Sequence, residues 1–331
     1  MPSGSLRNRA LLRYSAVMLL FVRSITWLAT RIRGCELVDP RGRDLPGFAA
    51  GAHIDLTLEN GLTRAYSLTG DPAERRRYSI AVLREEAGAG SAHIHDRLRV
   101  GDRVEVSPPK NDFPLDPDAR RYRLIAGGIG IAPLMAMLAE LRRRRADWIL
   151  DYATRSPEET AFLDELQILA ATGRVRLHHD GGDPARGLDI ARALAEPMPG
   201  TQLYCCGPAG MMAAAAEASR HWPEGSVHFE YFTRRETAPA PRAPDRPFRV
   251  KLTRSGGEYE VGARESIVEA LRRHGIAVRT SCEFGYCGTC LTPYRAGEPI
   301  HRDLILDAER RRRFVLICCA RAASEVLELD L

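Results

Sequence analysis

The sequence predicts a multidomain chain: an antiparallel β-barrel, then an α/β domain on a parallel sheet, then a small α+β domain. Three observations predict it. Short segments alternating with period two, broken by Gly, Pro and Asp turns, fill Ser24 to Phe113. After Pro117 the texture becomes strand–helix–strand, the pattern of a parallel sheet with helices on both faces. A stretch bearing Pro239, Pro241, Pro244 and Pro247 then sets apart a last segment holding five of the eight cysteines.

At 331 residues the chain has room for two or three cores, and 44% hydrophobic with 27% charged residues is ordinary for a globular protein. The formal charge of +5 comes almost wholly from arginine; Lys110 and Lys251 are the only lysines. The runs Arg75–Arg77, Arg142–Arg145 and Arg310–Arg313 lack interleaved aromatics. They read as solvated turns and helix ends, which argues against a nucleic-acid partner. Residues 1–21 read as an N-terminal extension. Arg7, Arg9 and Arg13 precede the apolar run Ala16 to Val22, but Arg23 interrupts it and no small-residue cleavage site follows. The run is too short to cross a bilayer, so no membrane is expected. Free thiols point to the cytoplasm.

Residues 22–116 make the barrel. Ile54 to Leu58 and Tyr78 to Arg84 alternate as half-buried strands, a Gly101-Asp102 turn opens Arg103 to Val106, and a helix is expected near Ser91 to Leu98. In Arg64-Ala65-Tyr66-Ser67-Leu68, Arg64 and Tyr66 share a strand face. An arginine fork suits a phosphate and an aromatic ring suits a flat heterocycle, while Ser67 points the other way. Arg84 is followed by Gly88-Ala89-Gly90-Ser91 leading into the helix, a plausible phosphate nest. Taken singly, a surface arginine and a loop glycine are the commoner readings.

Residues 117–232 make the α/β domain. Strands are expected at Tyr122 to Ala126, Trp148 to Ala153, Val175 to His178 and Gln202 to Cys206. Helices are expected at Glu158 to Leu169 and around Ile190 to Leu194. Another follows the first strand, amphipathic, with Leu134, Met135, Leu138 and Leu141 on one side. Gly127-Gly128-Ile129-Gly130-Ile131-Ala132-Pro133 lies between that strand and helix, with Pro133 suited to the first helical position. Glycines there let a pyrophosphate approach backbone N–H groups, although the pattern is not G-x-G-x-x-G, and a tight turn without a ligand would look the same. Cys206-Gly207-Pro208 closes a later strand of the same sheet. Cys206 could line a nicotinamide site or simply be a small buried hydrophobe. Arg155-Ser156 follows the second strand, where ribose selection is usual, and an arginine there could accept a 2′-phosphate.

Residues 233–247 are a linker and 248–331 the last domain. Phe248 to Leu252 and Gly257 to Val261 read as a hairpin; Ser266 caps a helix with Glu269 three residues on, a capping box. Arg279 to Cys290 then brings Cys282, Cys287 and Cys290, with four and two residues between them. That is the plant-type spacing of a 2Fe–2S cluster, completed by a distant cysteine, here Cys318 or Cys319. Zinc sites come as two close pairs, which fits a triplet and a remote partner poorly. Gly285 and Gly288 supply the positive backbone angles that a tight wrap needs.

Taken in order, RAYSL, GAGS, GGIGIAPL, CCGPAGMM, HFEYF, CEFGYCGTC and CCARA resemble the phthalate dioxygenase reductase family, which includes vanillate demethylase reductase subunits. The resemblance runs from about Val22 to Leu331. It implies a flavin domain on the barrel, a nicotinamide-nucleotide domain and a C-terminal ferredoxin-like (β-grasp) domain, with FMN, NADH (NADPH possible) and a 2Fe–2S cluster as cofactors. By the same resemblance Arg64, Tyr66 and Ser67 hold the flavin, Arg84, Gly90 and Ser91 its phosphate side, and Gly128, Gly130, Cys206, Gly207 and Pro208 the nucleotide. Phe232 matches the aromatic that covers the flavin ring. The metal ligands are Cys282, Cys287, Cys290 and Cys318, the last chosen because the family's final cysteine is followed by two residues and an arginine. Ala132 stands where many relatives have threonine, and Ala89 where glycine is common.

The implied function is electron transfer from NADH through FMN and the cluster to a terminal oxygenase component, with no catalytic acid or base. A nicotinamide gives up two electrons together and a 2Fe–2S centre takes one, so a flavin must stand between them. A Rieske-type oxygenase is the expected acceptor, a cytochrome P450 or another acceptor the alternative. A zinc-held or cofactor-poor binding or electron-carrier module is the reading from a different class.

Overall fold

The computed structural model describes residues 17–59, 61–85, 89–232, 245–278, 285, 288, 290–303, 306 and 308–331. Cys282, Cys287 and most of the linker lie outside them. The chain divides into two compact units, Met1–His228 and Phe229–Leu331.

The first unit opens with β1 (Met18–Ala29), β2 (Ile32–Val38), β3 (His53–Thr57), β4 (Thr63–Ser67), β5 (Arg77–Leu83), α1 (Ala89–Asp96) and β6 (Arg103–Val106). The strands form one antiparallel sheet in the order β4-β3-β6-β1-β2-β5, and a bridge between Leu68 and Ile80 joins its two edges into a barrel. Alternation explains the filling: Ile54, Leu56, Ile80 and Val82 point inward with Leu20, Val22, Leu37 and Val104. The strand β1 takes in Met18–Phe21, which sequence reading counted with the extension; these residues pair with Val106–Arg103 of β6.

The α/β part follows: β7 (Arg121–Gly127), α2 (Ile131–Arg143), β8 (Asp147–Thr154), α3 (Leu163–Ala170), β9 (Val175–His179), α4 (Ile190–Leu194), β10 (Thr201–Cys206), α5 (Ala209–Ala218) and β11 (Val227–Glu230). The sheet order is β11-β10-β7-β8-β9, with β10, β7, β8 and β9 parallel. Three local expectations are corrected. The helix expected from Glu158 is broken: a 3-10 turn covers Pro157–Glu159, Thr160 is extended, Phe162 takes φ +59, and α3 starts only at Leu163. Pro133 is the third residue of α2, not the first; it still falls in the first turn, where its missing N–H leaves no bond unmade. Nor is α2 amphipathic, since Ile131 to Leu138 are all buried. One side packs on the parallel sheet, and the other meets the barrel. Ala29, Ile32, Ala50, Ala81 and Phe113 of the barrel part share one core with Leu134, Met137 and Leu141. At that seam a Cβ on Gly51 (φ +90) would lie 1.9 Å from the Phe113 carbonyl oxygen and 3.1 Å from Met137 Cε, so glycine is needed there.

The second unit holds β12 (Phe248–Leu252), β13 (Glu258–Val261), α6 (Ile267–Arg273), β14 (Leu291–Ala296), β15 (Pro299–Ile300), α7 (Ala308–Arg311), β16 (Phe314–Leu316), β17 (Arg321–Ala322) and β18 (Val326–Leu329). The main sheet runs β13-β12-β18-β14-β16, with the last strand inserted parallel to β12. Helix α6 lays Ile267, Val268 and Leu271 on it, and the Ser266–Glu269 capping box is present in both directions.

Candidate functional site

Parallel strands in this order reverse direction of travel between β7 and β10, the switch point at which open α/β sheets bind ligands. Cys206 is level with Ala126 there. The two loops that follow are in direct contact. A Cβ on Gly130 would sit 2.1 Å from the Cys206 carbonyl oxygen, and one on Gly127 would sit 2.5 Å from Pro208 Cδ. One on Gly207 would lie 3.0 Å from the Gly127 nitrogen. Gly130, Cys206, Gly207 and Pro208 thus form one floor. Gly128 differs: its φ is +50 and nothing stands within 4 Å of its missing side chain. This is the glycine that leaves room for a ligand, just before the N-terminus of α2, the positive end of the helix. Gly127, at the end of β7, was singled out by sequence only as part of a motif; its contact with Pro208 explains it. Cys206 and Cys205 are both buried, and burial pushes the Cys205 thiol up to about 12, so it stays protonated. Arg155 is exposed beyond the end of β8, and its carbonyl accepts the Gly181 N–H at 2.9 Å.

On the barrel, Arg64 and Gly90 come together. A Cβ on Gly90 would meet Arg64 Cγ at 2.8 Å, so the arginine stem lies across the first turn of α1. The guanidinium donates to its neighbour's carbonyl, Thr63 O, at 2.8 Å and lies largely exposed. Tyr66 is half-buried on the barrel core, and burial pushes its phenol up to about 12, so it remains a donor. Ser67, the next residue, is buried on the opposite side, as strand alternation requires. Ser91 Oγ accepts the Glu85 N–H at 3.1 Å, tying the end of β5 to the start of α1. Arg84 forms an ion pair with Asp96, the last residue of α1. Gly88 lies outside the described residues.

In the second unit Cys290 and Cys318 are buried in one core, with Cys319 packed against it. Gly285 and Gly288 take φ +78 and +76, the angles a wrapping loop needs. Thiols gathered in and against one core, with Cys319 Sγ 2.7 Å from a Cβ placed on Gly285, suit an iron–sulfur cage, so the described residues fit that group. Two residues that sequence inspection did not assign hold the cage's surroundings. Asp303 is buried with its Cα 3.0 Å from a Cβ placed on Gly285, and its carboxylate accepts the Leu306 N–H at 2.8 Å. Arg321 donates to Glu265 O and to Arg246 O and lies over the Phe248 ring at 4.7 Å. Its only signal was its place three residues after Cys318. Phe232 is exposed in this unit.

Residues 250–323 match the family of the 2Fe-2S iron-sulfur cluster binding domain, and residues 124–217 that of the oxidoreductase NAD-binding domain. The reductase subunit of the tert-butanol monooxygenase / tert-amyl alcohol desaturase of Aquincola tertiaricarbonis is 46% identical, over 94% of this chain and 95% of that protein. The solved structure of phthalate dioxygenase reductase superposes with a TM-score of 0.66 at 42% identity, covering 96% of this chain and 98% of the other. An intact type IV self-sufficient cytochrome P450 monooxygenase matches at TM-score 0.69 and 37% identity, over 95% of this chain but 41% of that one.

Proposed function

Because the chain belongs to the phthalate dioxygenase reductase family, we propose that it is the reductase component of an oxygenase system, passing electrons from NADH through FMN and a 2Fe–2S cluster to a Rieske-type terminal oxygenase. The single observation that carries this reading is that one polypeptide holds both a nucleotide crevice at a sheet switch point and a core that buries cysteines of the plant-type spacing. When bound, FMN supplies the conversion between a two-electron donor and a one-electron acceptor.

The chain's own part is positioning. Gly128 and the N-terminus of α2 receive the pyrophosphate, and the floor of Gly130, Cys206, Gly207 and Pro208 sets how deep the nicotinamide can lie. Arg64, with no carboxylate paired to it among the described residues, and the first turn of α1 at Gly90 and Ser91 receive the flavin phosphate. Tyr66, with a neutral phenol, and Ser67 hold the flavin. Arg84, which also pairs with Asp96, serves its phosphate side, and Phe232 is the aromatic that the family resemblance assigns to the flavin ring. Cys282, Cys287, Cys290 and Cys318 bind the cluster. No proton has to be held by a side chain, since hydride and electrons are what move. NADH is the expected donor; comparing initial rates with NADPH tests whether Arg155 recruits a 2′-phosphate. The cytoplasm is the proposed location; among the described residues no helix is long and apolar enough to cross a membrane.

Anaerobic titration with NADH tests the proposal. Flavin absorbance should bleach and the paramagnetic signal of the reduced cluster should grow in. A protein with flavin and iron both present, but no such signal, would overturn it. The likeness to a P450 monooxygenase gives a second reading, a haem acceptor; reduction of a P450 in preference to a Rieske protein would favour it.

A further inference from the structure

The turn that ends β16 carries two adjacent thiols on the cluster side. Both the Cys319 and Ala320 N–H groups bond to the Leu316 carbonyl, at 3.1 and 2.9 Å, so the backbone here coils rather than extends. In a coil of this kind consecutive side chains diverge by about 100°, whereas in a strand they would point to opposite faces. The consequence is visible in two contacts. Cys319 packs against the core in which Cys290 and Cys318 are buried. A Cβ on Gly285 would lie only 2.7 Å from Cys319 Sγ. Gly285 belongs to the loop between Cys282 and Cys287, so the sulfur of Cys319 already rests against the cluster loop. Unlike Cys318, Cys319 is partly exposed, and its thiol makes a long contact with the Leu316 carbonyl, at 3.6 Å.

We propose that Cys319 is a reserve ligand of the cluster, able to take the fourth position when Cys318 cannot. The proposal rests on the cysteine loop being a 2Fe–2S site. The exchange is balanced and needs no co-reactant. The Cys319 thiol gives its proton to solvent, one iron–sulfur bond forms, and the bond to Cys318 is the one not made. A thiolate replaces a thiolate, so neither the charge nor the oxidation state of the centre changes. Little movement of the turn is needed, because Cys319 Sγ already lies beside Gly285.

The test uses the full chain with Cys318→Ala, Cys319→Ala, the double variant and Cys290→Ala, the last marking a chain that has lost a ligand with no spare beside it. Iron and sulfide per chain, visible circular dichroism and the paramagnetic signal after dithionite are measured. The expected result is that Cys318→Ala keeps most of its iron and sulfide with a shifted signal, and that the double variant falls to the level of Cys290→Ala. Iron in Cys318→Ala as low as in Cys290→Ala overturns the proposal. If Cys318→Ala does not accumulate, iron loss under peroxide is compared between the wild type and Cys319→Ala. A reserve ligand predicts severalfold faster loss from the variant, and equal rates overturn it. Absence of iron and sulfide from the wild type would instead defeat the cluster assignment itself.

Discussion

At the scale of residues, the barrel site turns on Arg64. Its stem is held against Gly90 while its guanidinium stays exposed, the arrangement of a side chain awaiting an anion. Arg64→Ala should weaken FMN binding about 10- to 100-fold, the worth of a charge-assisted hydrogen bond. Titrating apoprotein with FMN checks this, and an unchanged affinity would move the phosphate elsewhere. His228 makes a different kind of prediction. It stacks on Tyr204 with centroids 4.5 Å apart and donates from Nε2 to Gln202 Oε1 at 2.7 Å. Burial, opposed by the nearby Asp116 carboxylate, holds its pKa below the usual imidazole range. The unfolded chain therefore binds this proton more readily than the folded one. The contribution to stability is complete above the unfolded value, near about 6.5, and is lost as pH falls. The melting temperature should drop between about pH 7.5 and 5.5, and His228→Phe, with a ring but no proton to gain, should reduce the slope.

At the scale of elements, the two loops after β7 and β10 act as one part. Sequence reading gave their glycines a single role, closeness to a pyrophosphate. The structure separates them: Gly130 is glycine because the Cys206 carbonyl is there, and Gly128 because of its backbone angle and the open space above it. Gly130→Ala should cost about 3 kcal/mol or more, since backbone would have to move. Gly128→Ala should cost only about 1 kcal/mol, the strain of a left-handed alanine, yet raise KM for NADH. Urea unfolding and steady-state kinetics on the two variants would show whether the roles divide this way. Such a division was not legible from the sequence, because a motif records which residues lack a side chain but not what occupies the space.

At the scale of the whole molecule, the barrel and the parallel sheet differ in architecture but share a core. Helix α2 is covered on both sides, and the Tyr204 hydroxyl bridges Pro114 O at 3.1 Å and the Asp116 N–H at 2.7 Å, binding the connection between them to the sheet. A fragment ending at His228 should accordingly unfold in one transition by calorimetry. Two separate transitions would mean that the shared core does not couple them.

By itself the sequence determined the three architectures and the cysteine spacing, and through its family resemblance it implied the cofactor set. The first two are written in local patterns: a period of two, a strand followed by a glycine turn, thiols at fixed intervals. Tertiary structure alone decided that α2 is buried all round, that Arg84 pairs with Asp96, and that Gly130 serves Cys206. It also decided that Cys319 packs against the core that buries Cys318, beside Gly285. Each depends on a neighbour distant along the chain, and no local pattern encodes where a distant carbonyl, carboxylate or loop will come to rest.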